Sequence, residues 1–291
     1  FTSNDTLTIG GTGAVLEGNL DDAIINVNLD PVLDFDGTDG SGTEDYITIP
    51  DNSSLDVTTG GLTVSAWFKI NSFKSDENVI FSKYEPGYLC FSNDAGRLTF
   101  RCFTDGSNYT DINSANGAVV AGHWYHIACV RDNAEDELIM YLNGAVAAGP
   151  TTDASGDLSS SRPLLIGNSA APGDLSWGLI GKIADVRMYN ATLSQADVQV
   201  LASKINVDSA LGPGTTNLQG WWKLNEGTGT SIADSSTNTN TGTATNFAMS
   251  GTASNWLFDD FSVAVQDATT TTDGAVTVTQ GKLEGLALSH L

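Results

Sequence analysis

The stretch Leu62-Thr63-Val64-Ser65-Ala66-Trp67-Phe68-Lys69-Ile70 decides the fold. An apolar side chain stands at every second position, and Thr, Ser, Trp and Lys occupy the positions between. A period of two is typical of a β-strand whose two faces meet different surroundings. The stretch therefore predicts a strand with one face in a hydrophobic core.

Similar runs recur along the chain, at residues 7–9, 23–29, 45–49, 88–92, 98–103, 124–131, 138–142, 164–166 and 182–189. Residues 93–96, Asn-Asp-Ala-Gly, and Asn143-Gly144 separate some of them and tolerate the positive φ of tight turns. Each strand of this kind can hide only one face. Many short antiparallel strands therefore predict two packed sheets, a sandwich or jelly roll.

The charge of the chain excludes one class of partner. Asp and Glu number 35 against 12 Lys and Arg, which gives a formal net charge of -23. Phosphate backbones would be repelled, so nucleic-acid binding is not predicted. No apolar run reaches the ~18 residues that a membrane helix needs, so membrane insertion is not predicted either. Crowded loop carboxylates instead favour a hard cation such as calcium.

Cysteine usage argues against a disulfide framework. Cys90, Cys102 and Cys129 each lie in a strand-like run, their number is odd, and none forms a C-x-x-C pair. Buried free thiols are therefore predicted. They favour folding in a reducing compartment.

One helix is predicted near the end of the strand-rich region. Ser194 can cap it, Asp197 stands three residues later, and Leu193 can pack on Val198. These signals predict a helix over residues 195–204. The residues that follow, 207–215, include Gly-Pro-Gly and are interpreted as a linker.

A series of motifs follows in chain order: Leu33-Asp34-Phe35-Asp36-Gly37, Asp45-Tyr46-Ile47, residues 62–68, residues 123–128, Leu142-Asn143-Gly144, Leu165-Ile166-Gly167 and residues 181–189. In this order the motifs resemble those of the LamG-like jelly-roll domains of the laminin G and concanavalin A-like lectin/glucanase family. The resemblance implies an all-β concanavalin A-like sandwich over residues 32–206, with one short helix. It leaves a β-rich N-terminal arm at 1–31 and a β-rich C-terminal segment at 216–291.

The order of one segment departs from the family. Residues 220–229, Gly-Trp-Trp-Lys-Leu-Asn-Glu-Gly-Thr-Gly, resemble a segment that normally opens the domain, yet here they follow it. Their large apolar side chains must pack somewhere. We expect residues 220–260 either to return as strands beside their own sandwich or to fill that place in a neighbouring copy.

The resemblance also implies a structural calcium, which many family members bind between an early loop and the last strand. The matching positions here are Asp36, Gly37 and Asp185. Asp185 lies on an otherwise apolar strand, where a carboxylate is costly unless it is paired. Calcium and a hydrogen-bonded pair with Arg187 are both consistent with this position.

Glycan binding is a second implication of the resemblance. Tyr84, Tyr109 and Trp177 are candidate stacking platforms, because aromatic rings pack well on sugar rings. The polar residues Asp105, Asn108 and Asp174 are candidates to bind the hydroxyl groups. The alternative is that some of the aromatic rings fill the core, which is the interpretation preferred for Trp67 and Trp124.

The sequence does not predict an enzyme. The dense acidic run Glu135-Asp136-Glu137 lies between two strands and is interpreted as a hairpin tip, not as the carboxylate pair of a glycosidase. His123 and His126 are three positions apart and would point to opposite faces of a strand, so they are not predicted to share a metal ion.

These features predict a non-enzymatic structural and surface-binding protein. The family is common in extracellular proteins and in capsid-surface and tail proteins of bacteriophages. The free thiols, acidic surface and flanking arms favour a virion surface component, of capsid decoration or tail-fibre type. Its expected partners are other copies of itself, capsid or tail proteins, and cell-surface glycans. The alternative is a secreted, calcium-dependent, lectin-like adhesion protein.

Overall fold

The structure is a computed structural model that describes residues 31–37, 43–58, 60–75, 77–105, 108–169, 176–250 and 255–258, together with short strands outside these ranges. The chain divides into two compact units. One comprises residues 31–257, and the other combines residues 1–30 with residues 258–291.

The strands are, in chain order, β1 (Thr6–Ile9), β2 (Val15–Leu16), β3 (Ile24–Val27), β4 (Pro31–Phe35), β5 (Tyr46–Ile49), β6 (Leu62–Ile70), β7 (Asn78–Lys83), β8 (Gly87–Ser92), β9 (Leu98–Asp105), β10 (Asn108–Asn113), β11 (Trp124–Asp132), β12 (Glu137–Leu142), β13 (Ala145–Thr152), β14 (Leu164–Ile166), β15 (Gly181–Tyr189), β16 (Leu218–Trp222), β17 (Ser231–Ile232), β18 (Gly242–Thr245), β19 (Trp256–Phe258) and β20 (Val276–Thr277). A 3-10 turn covers Ser53–Leu55, and the α-helix α1 covers Gln195–Leu201.

The unit formed by the chain ends contains two strand pairs. β1 runs parallel to β3, and β2 is antiparallel to β20. The strands predicted at residues 7–9 and 23–29 therefore lie in this unit.

Two antiparallel sheets build the other unit. The first sheet has the order β13-β12-β11-β6-β15-β4-β19, with β16 also paired to β15. The second sheet has the order β10-β9-β8-β7-β14-β5-β18-β17. The predicted all-β sandwich is confirmed.

The main core lies between the sheets. The alternating apolar residues of β6 all belong to it, and the second sheet contributes side chains such as Phe81, Tyr88 and Phe100. Cys90, Cys102 and Cys129 are buried in the same core as free cysteines.

The outer face of the first sheet is covered by α1. The predicted capping box is present between Ser194 and Asp197, and Val198 and Leu201 are buried against the sheet. The helix ends at Leu201, earlier than predicted, and Ala202 caps it. Trp67 is buried on this outer side, where its indole N–H donates to the carbonyl of Leu201 at 3.4 Å, and not between the sheets as predicted. No helix in the described ranges is both long and apolar enough to span a membrane.

The predicted linker at residues 207–215 does not separate two folded bodies. β16 pairs with β15, β18 with β5, and β19 lies beside β4, so all three belong to the sandwich. Trp222 is fully buried in the main core. The displaced segment thus returns to its own chain, because the edges of β4 and β5 and the end of β15 offer backbone groups that need partners.

Candidate functional site

The loop after β4 contains two of the predicted calcium ligands. The Asp36 carboxylate accepts the backbone N–H of Asp45 at 3.2 Å, and the Asp36 backbone N–H donates to the Asp45 carboxylate at 3.1 Å. Gly37 has φ +44°, and a Cβ there would lie 2.3 Å from the carbonyl oxygen of Leu179. The glycine is therefore required by the close approach of another backbone.

The structure does not bring Asp185 to this loop. β15 runs antiparallel to β4 with Gly181 opposite Phe35 and Ile183 opposite Leu33. Continuing that register places Asp185 level with Pro31, five residues before Asp36. At ~3.3 Å per residue, Asp185 and Asp36 are therefore separated by roughly 16 Å along the strand direction. The three predicted residues therefore do not fit one calcium ion.

Asp185 is instead the centre of a buried ion pair. Its carboxylate accepts Arg187 Nε at 2.8 Å, the Trp221 indole N–H at 2.6 Å and the Asn206 backbone N–H at 2.6 Å. The guanidinium also stacks on the Trp221 ring at 4.1 Å. Of the two interpretations of this position, the structure contains the pair with Arg187. Among the described residues, no group of three or more His, Cys, Asp or Glu side chains is arranged to hold a metal ion.

The carboxyl group of Asp45 has an unusual environment. Burial, followed by the negative charge of Asp36, raises its pKa to about 7. The Asn255 side-chain amide also donates to Asp45, at 3.2 Å. Asp45 therefore holds its proton in the folded state at pH values where it loses the proton in the unfolded state.

We expect the contribution of Asp45 to the free energy of unfolding to rise as the pH falls from about 7 towards 4. A folded-state pKa above the unfolded value means that the folded chain binds more protons in this interval. The contribution of one group cannot exceed about 1.4 kcal/mol per pH unit. Asp45→Asn should remove it and be more stable than the wild type at pH 8. Denaturant unfolding at several pH values, in a chelator, measures this.

The matched control is Asp136→Asn, which removes a carboxylate from an exposed turn. If the free energy of unfolding of Asp45→Asn depends on pH as steeply as that of the wild type, the raised pKa is wrongly assigned to Asp45. The same series with added calcium tests the calcium prediction, because a cation beside Asp45 favours its charged form and should weaken the pH dependence. Identical profiles with calcium and with chelator would contradict a calcium site at this loop.

An apolar cluster lies on the outer face of the second sheet. Val79, Leu89, Phe91 and Phe103 are buried there, and the partly buried rings of Tyr84 and Trp177 pack against them. The centroids of the Tyr84 and Phe103 rings are 4.8 Å apart. Two of the three predicted stacking residues therefore pack on the same apolar cluster, and both are only partly buried.

Arg101 on β9 joins the third predicted ring to this surface. It donates from Nε and Nη2 to the two Asp111 carboxylate oxygens at 2.6 and 2.8 Å, and its guanidinium lies over the Tyr109 ring at 4.3 Å. The hydrogen bond to Asp111 raises the pKa of Arg101, and Tyr109 and Tyr84 add to the shift. We call Tyr84, Arg101, Phe103, Tyr109 and Trp177 the aromatic face.

The sequence analysis missed Arg101 and Phe103 as members of this surface. Their signal is the alternation in the run at residues 98–103, which places both on one side of β9. The antiparallel register then sets Phe103 opposite Tyr109 and Arg101 opposite Asp111. That register is not apparent from the sequence alone.

The predicted polar residues lie at the end of the β9–β10 hairpin. The Asp105 carboxylate accepts the backbone N–H of Asn108 at 3.0 Å and its side-chain amide at 2.7 Å. Both residues are exposed, beside Tyr109, which is 50% exposed. Asp174 lies outside the described residues. The aromatic face can therefore offer a flat ring and adjacent polar groups to one ligand.

The acidic run rejected as catalytic and the histidines rejected as a metal pair lie on or next to strands of the first sheet. Glu135 and Asp136 are exposed in the turn between β11 and β12. His123 is exposed before β11, whereas His126 is buried beside Trp67. Burial lowers the pKa of His126 to about 3.

Comparisons with known proteins agree with the fold. Among solved structures, a candidate carbohydrate binding protein from Bacteroides ovatus is similar, with TM-score 0.56 and 20% identity over 76% of this chain. The chain spans 60% of that protein. A heptameric SAP-like pentraxin from Limulus polyphemus has TM-score 0.50 and 16% identity, over 79% of this chain and 100% of the pentraxin.

A search of curated proteins returns no match. The sequence model of one family, described as the Concanavalin A-like lectin/glucanases superfamily, matches residues 41–199. The match covers more than half of the 291 residues. The chain therefore belongs to the concanavalin A-like lectin/glucanases superfamily.

Proposed function

We propose that this chain is a non-enzymatic glycan-binding domain and that the aromatic face is its binding surface. The observation that carries the proposal is the half-exposed Tyr109 ring, which stacks on the Arg101 guanidinium. Membership of a lectin and glucanase superfamily supports it. So does the similarity to a Bacteroides protein whose name refers to carbohydrate binding.

The chemistry of the surface suits a sugar. The C–H face of a pyranose ring packs on an aromatic ring, and Tyr109 is held in place by the guanidinium beneath it. Asp105 and Asn108 lie next to the ring and carry acceptors and donors for hydroxyl groups. Ordering costs are small because Asp111 and Asn108 already hold their partners in position.

A non-enzymatic role is supported by the carboxylates near this surface. A glycosidase needs one carboxyl group as an acid and a second as base or nucleophile, across a sugar. Asp111 is instead tied to Arg101 through both oxygens, and Asp105 accepts two hydrogen bonds from Asn108. Neither arrangement favours a proton donor.

We expect the double variant Tyr109→Ala, Trp177→Ala to lose at least ~10-fold in glycan affinity, since each stacking ring is worth about 1 kcal/mol. Binding to a glycan array, followed by calorimetry on the best ligand, measures the change. Val146→Ala is the matched control, because Val146 is equally exposed but lies on β13 of the first sheet. Unchanged binding in the double variant would exclude the aromatic face.

We further propose that the domain is displayed on a virion surface, among other copies of itself or capsid and tail proteins. The acidic composition and the buried free thiols support this setting. The similarity to a heptameric pentraxin supports assembly into a ring or array. A secreted adhesion protein is the alternative setting for the same glycan-binding surface.

A further inference from the structure

We infer that the aromatic face selects uncharged glycans over sialylated, uronic or sulfated ones. The inference rests on the proposed glycan-binding function and concerns the class of ligand. Its basis is that the Arg101 guanidinium, which lies over the Tyr109 ring, is already paired with a carboxylate of the same chain.

The ion pair between Arg101 and Asp111 occupies one of the two bidentate edges of the guanidinium and balances its positive charge. Nε and Nη2 each donate to a different carboxylate oxygen, at 2.6 and 2.8 Å, which is the fork arrangement that a carboxylated or sulfated sugar would need. The exposed fractions of the two side chains are 28% and 25%. An acidic ligand at this edge would have to displace Asp111 and leave that carboxylate without its partner, which costs affinity. At the Nη1–Nη2 edge it would meet a guanidinium whose charge Asp111 already balances, so the attraction would be weak.

Two carboxylates near the aromatic face would repel an anion. Glu85 follows Tyr84, and Asp105 lies at the exposed hairpin end. The Lys74 ammonium donates to the carbonyls of Ser176 and Gly178, on either side of Trp177. Arg97 precedes Arg101 by four residues along the chain. At ~3.3 Å per residue this places it roughly 13 Å away.

The net charge of the whole chain acts in the same direction. With 35 acidic against 12 basic residues, the long-range field repels anionic ligands. Uncharged sugars are not repelled by this field. They can still pack on the aromatic rings and form hydrogen bonds with the polar groups beside them. The local ion pair and the global charge therefore point to the same class of ligand.

The test is a panel of matched glycan pairs that differ only in a terminal sialic acid or a sulfate group. The wild type is expected to bind neutral members at least tenfold more tightly than their acidic partners. Asp111→Asn releases the guanidinium, so binding of the acidic members should rise about tenfold. Asp111→Ser is a second variant with the same expectation, and thermal unfolding confirms that each variant is folded.

The double variant Arg101→Gln, Asp111→Asn should not show the increased affinity for acidic glycans, because it lacks the guanidinium that Asp111→Asn releases. Wild-type binding of acidic members that equals or exceeds that of neutral ones would overturn the inference while leaving glycan binding intact. Folded Asp111 variants without any gain for acidic members would also overturn it. If no panel member of either kind binds the wild type, the proposed function itself fails.

Discussion

A chain truncated after Gly214 is expected to lose its cooperative unfolding transition. The truncation removes β16, β18 and β19, which pair with β15, β5 and β4 respectively. It also removes four large side chains that are buried in the main core, Trp222, Leu224, Ile232 and Trp256. Each is worth about 1.5–3 kcal/mol. Their sum is comparable with the entire stability of a typical domain, about 5–15 kcal/mol.

Two further variants of the chain serve as controls for the truncation. A chain that ends at residue 258 keeps every strand of the sandwich and should retain the transition. A permuted chain with residues 215–258 placed ahead of residue 31 should fold as well, because it restores the segment order that is usual in the family. Circular dichroism and calorimetry provide the comparison. A wild-type melting temperature for residues 1–214 would show that the displaced segment is an independent appendage.

Replacing Arg187 by Met is expected to destabilise the protein by about 3–5 kcal/mol. Arg187 and Asp185 are only 1% and 3% exposed, so the substitution leaves a carboxylate buried without its counter-charge. It also removes the hydrogen bond from Nη2 to the Val207 carbonyl, at 2.7 Å, and the stacking on Trp221. Urea unfolding of the wild type and the variant gives the difference in free energy.

The double variant Asp185→Asn, Arg187→Met should be less destabilised than the sum of its two single variants, because removal of both charges leaves no unpaired ion. Asn suits this position because the φ of Asp185 is +51°. Arg101→Met is the matched surface control, since it breaks a pair of similar geometry that is partly exposed, and it should cost no more than about 1 kcal/mol. Equal losses of unfolding free energy in Arg187→Met and Arg101→Met would contradict the conclusion that burial makes the pair with Asp185 more important.

The sandwich could be predicted from the sequence wherever strands alternate clearly. β6 and α1 carry strong local signals, a period of two and a capping box. β10 and β13 were not predicted, because Asn-Tyr-Thr-Asp-Ile-Asn and a strand with Gly149-Pro150 lack such a pattern. Both are edge strands, where polar residues and proline are tolerated.

The candidate site was predictable in part, for a related reason. Exposed rings such as Tyr109 can be proposed from residue type, since aromatic residues between turn-forming polar ones have few structural roles. The role of Arg101 depends on which residue lies opposite it, and the choice between calcium and Arg187 as the partner of Asp185 depends on strand register in the same way. Strand register is set by long-range pairing, so the distance between Asp36 and Asp185 could not be obtained from their motifs.

The position of the closing strands has a consequence for synthesis. Residues leave the ribosome in chain order, so β4, β5 and β15 are complete before the strands that cover their open backbone groups exist. Until β19 has emerged, the nascent sandwich presents unpaired edges and an uncovered apolar interior, the conditions under which growing chains associate with one another. Family members whose opening segment is made first do not face this interval. Translation speed and chaperone supply while residues 190–258 are being made should therefore influence the yield of this protein more than that of its conventionally ordered relatives.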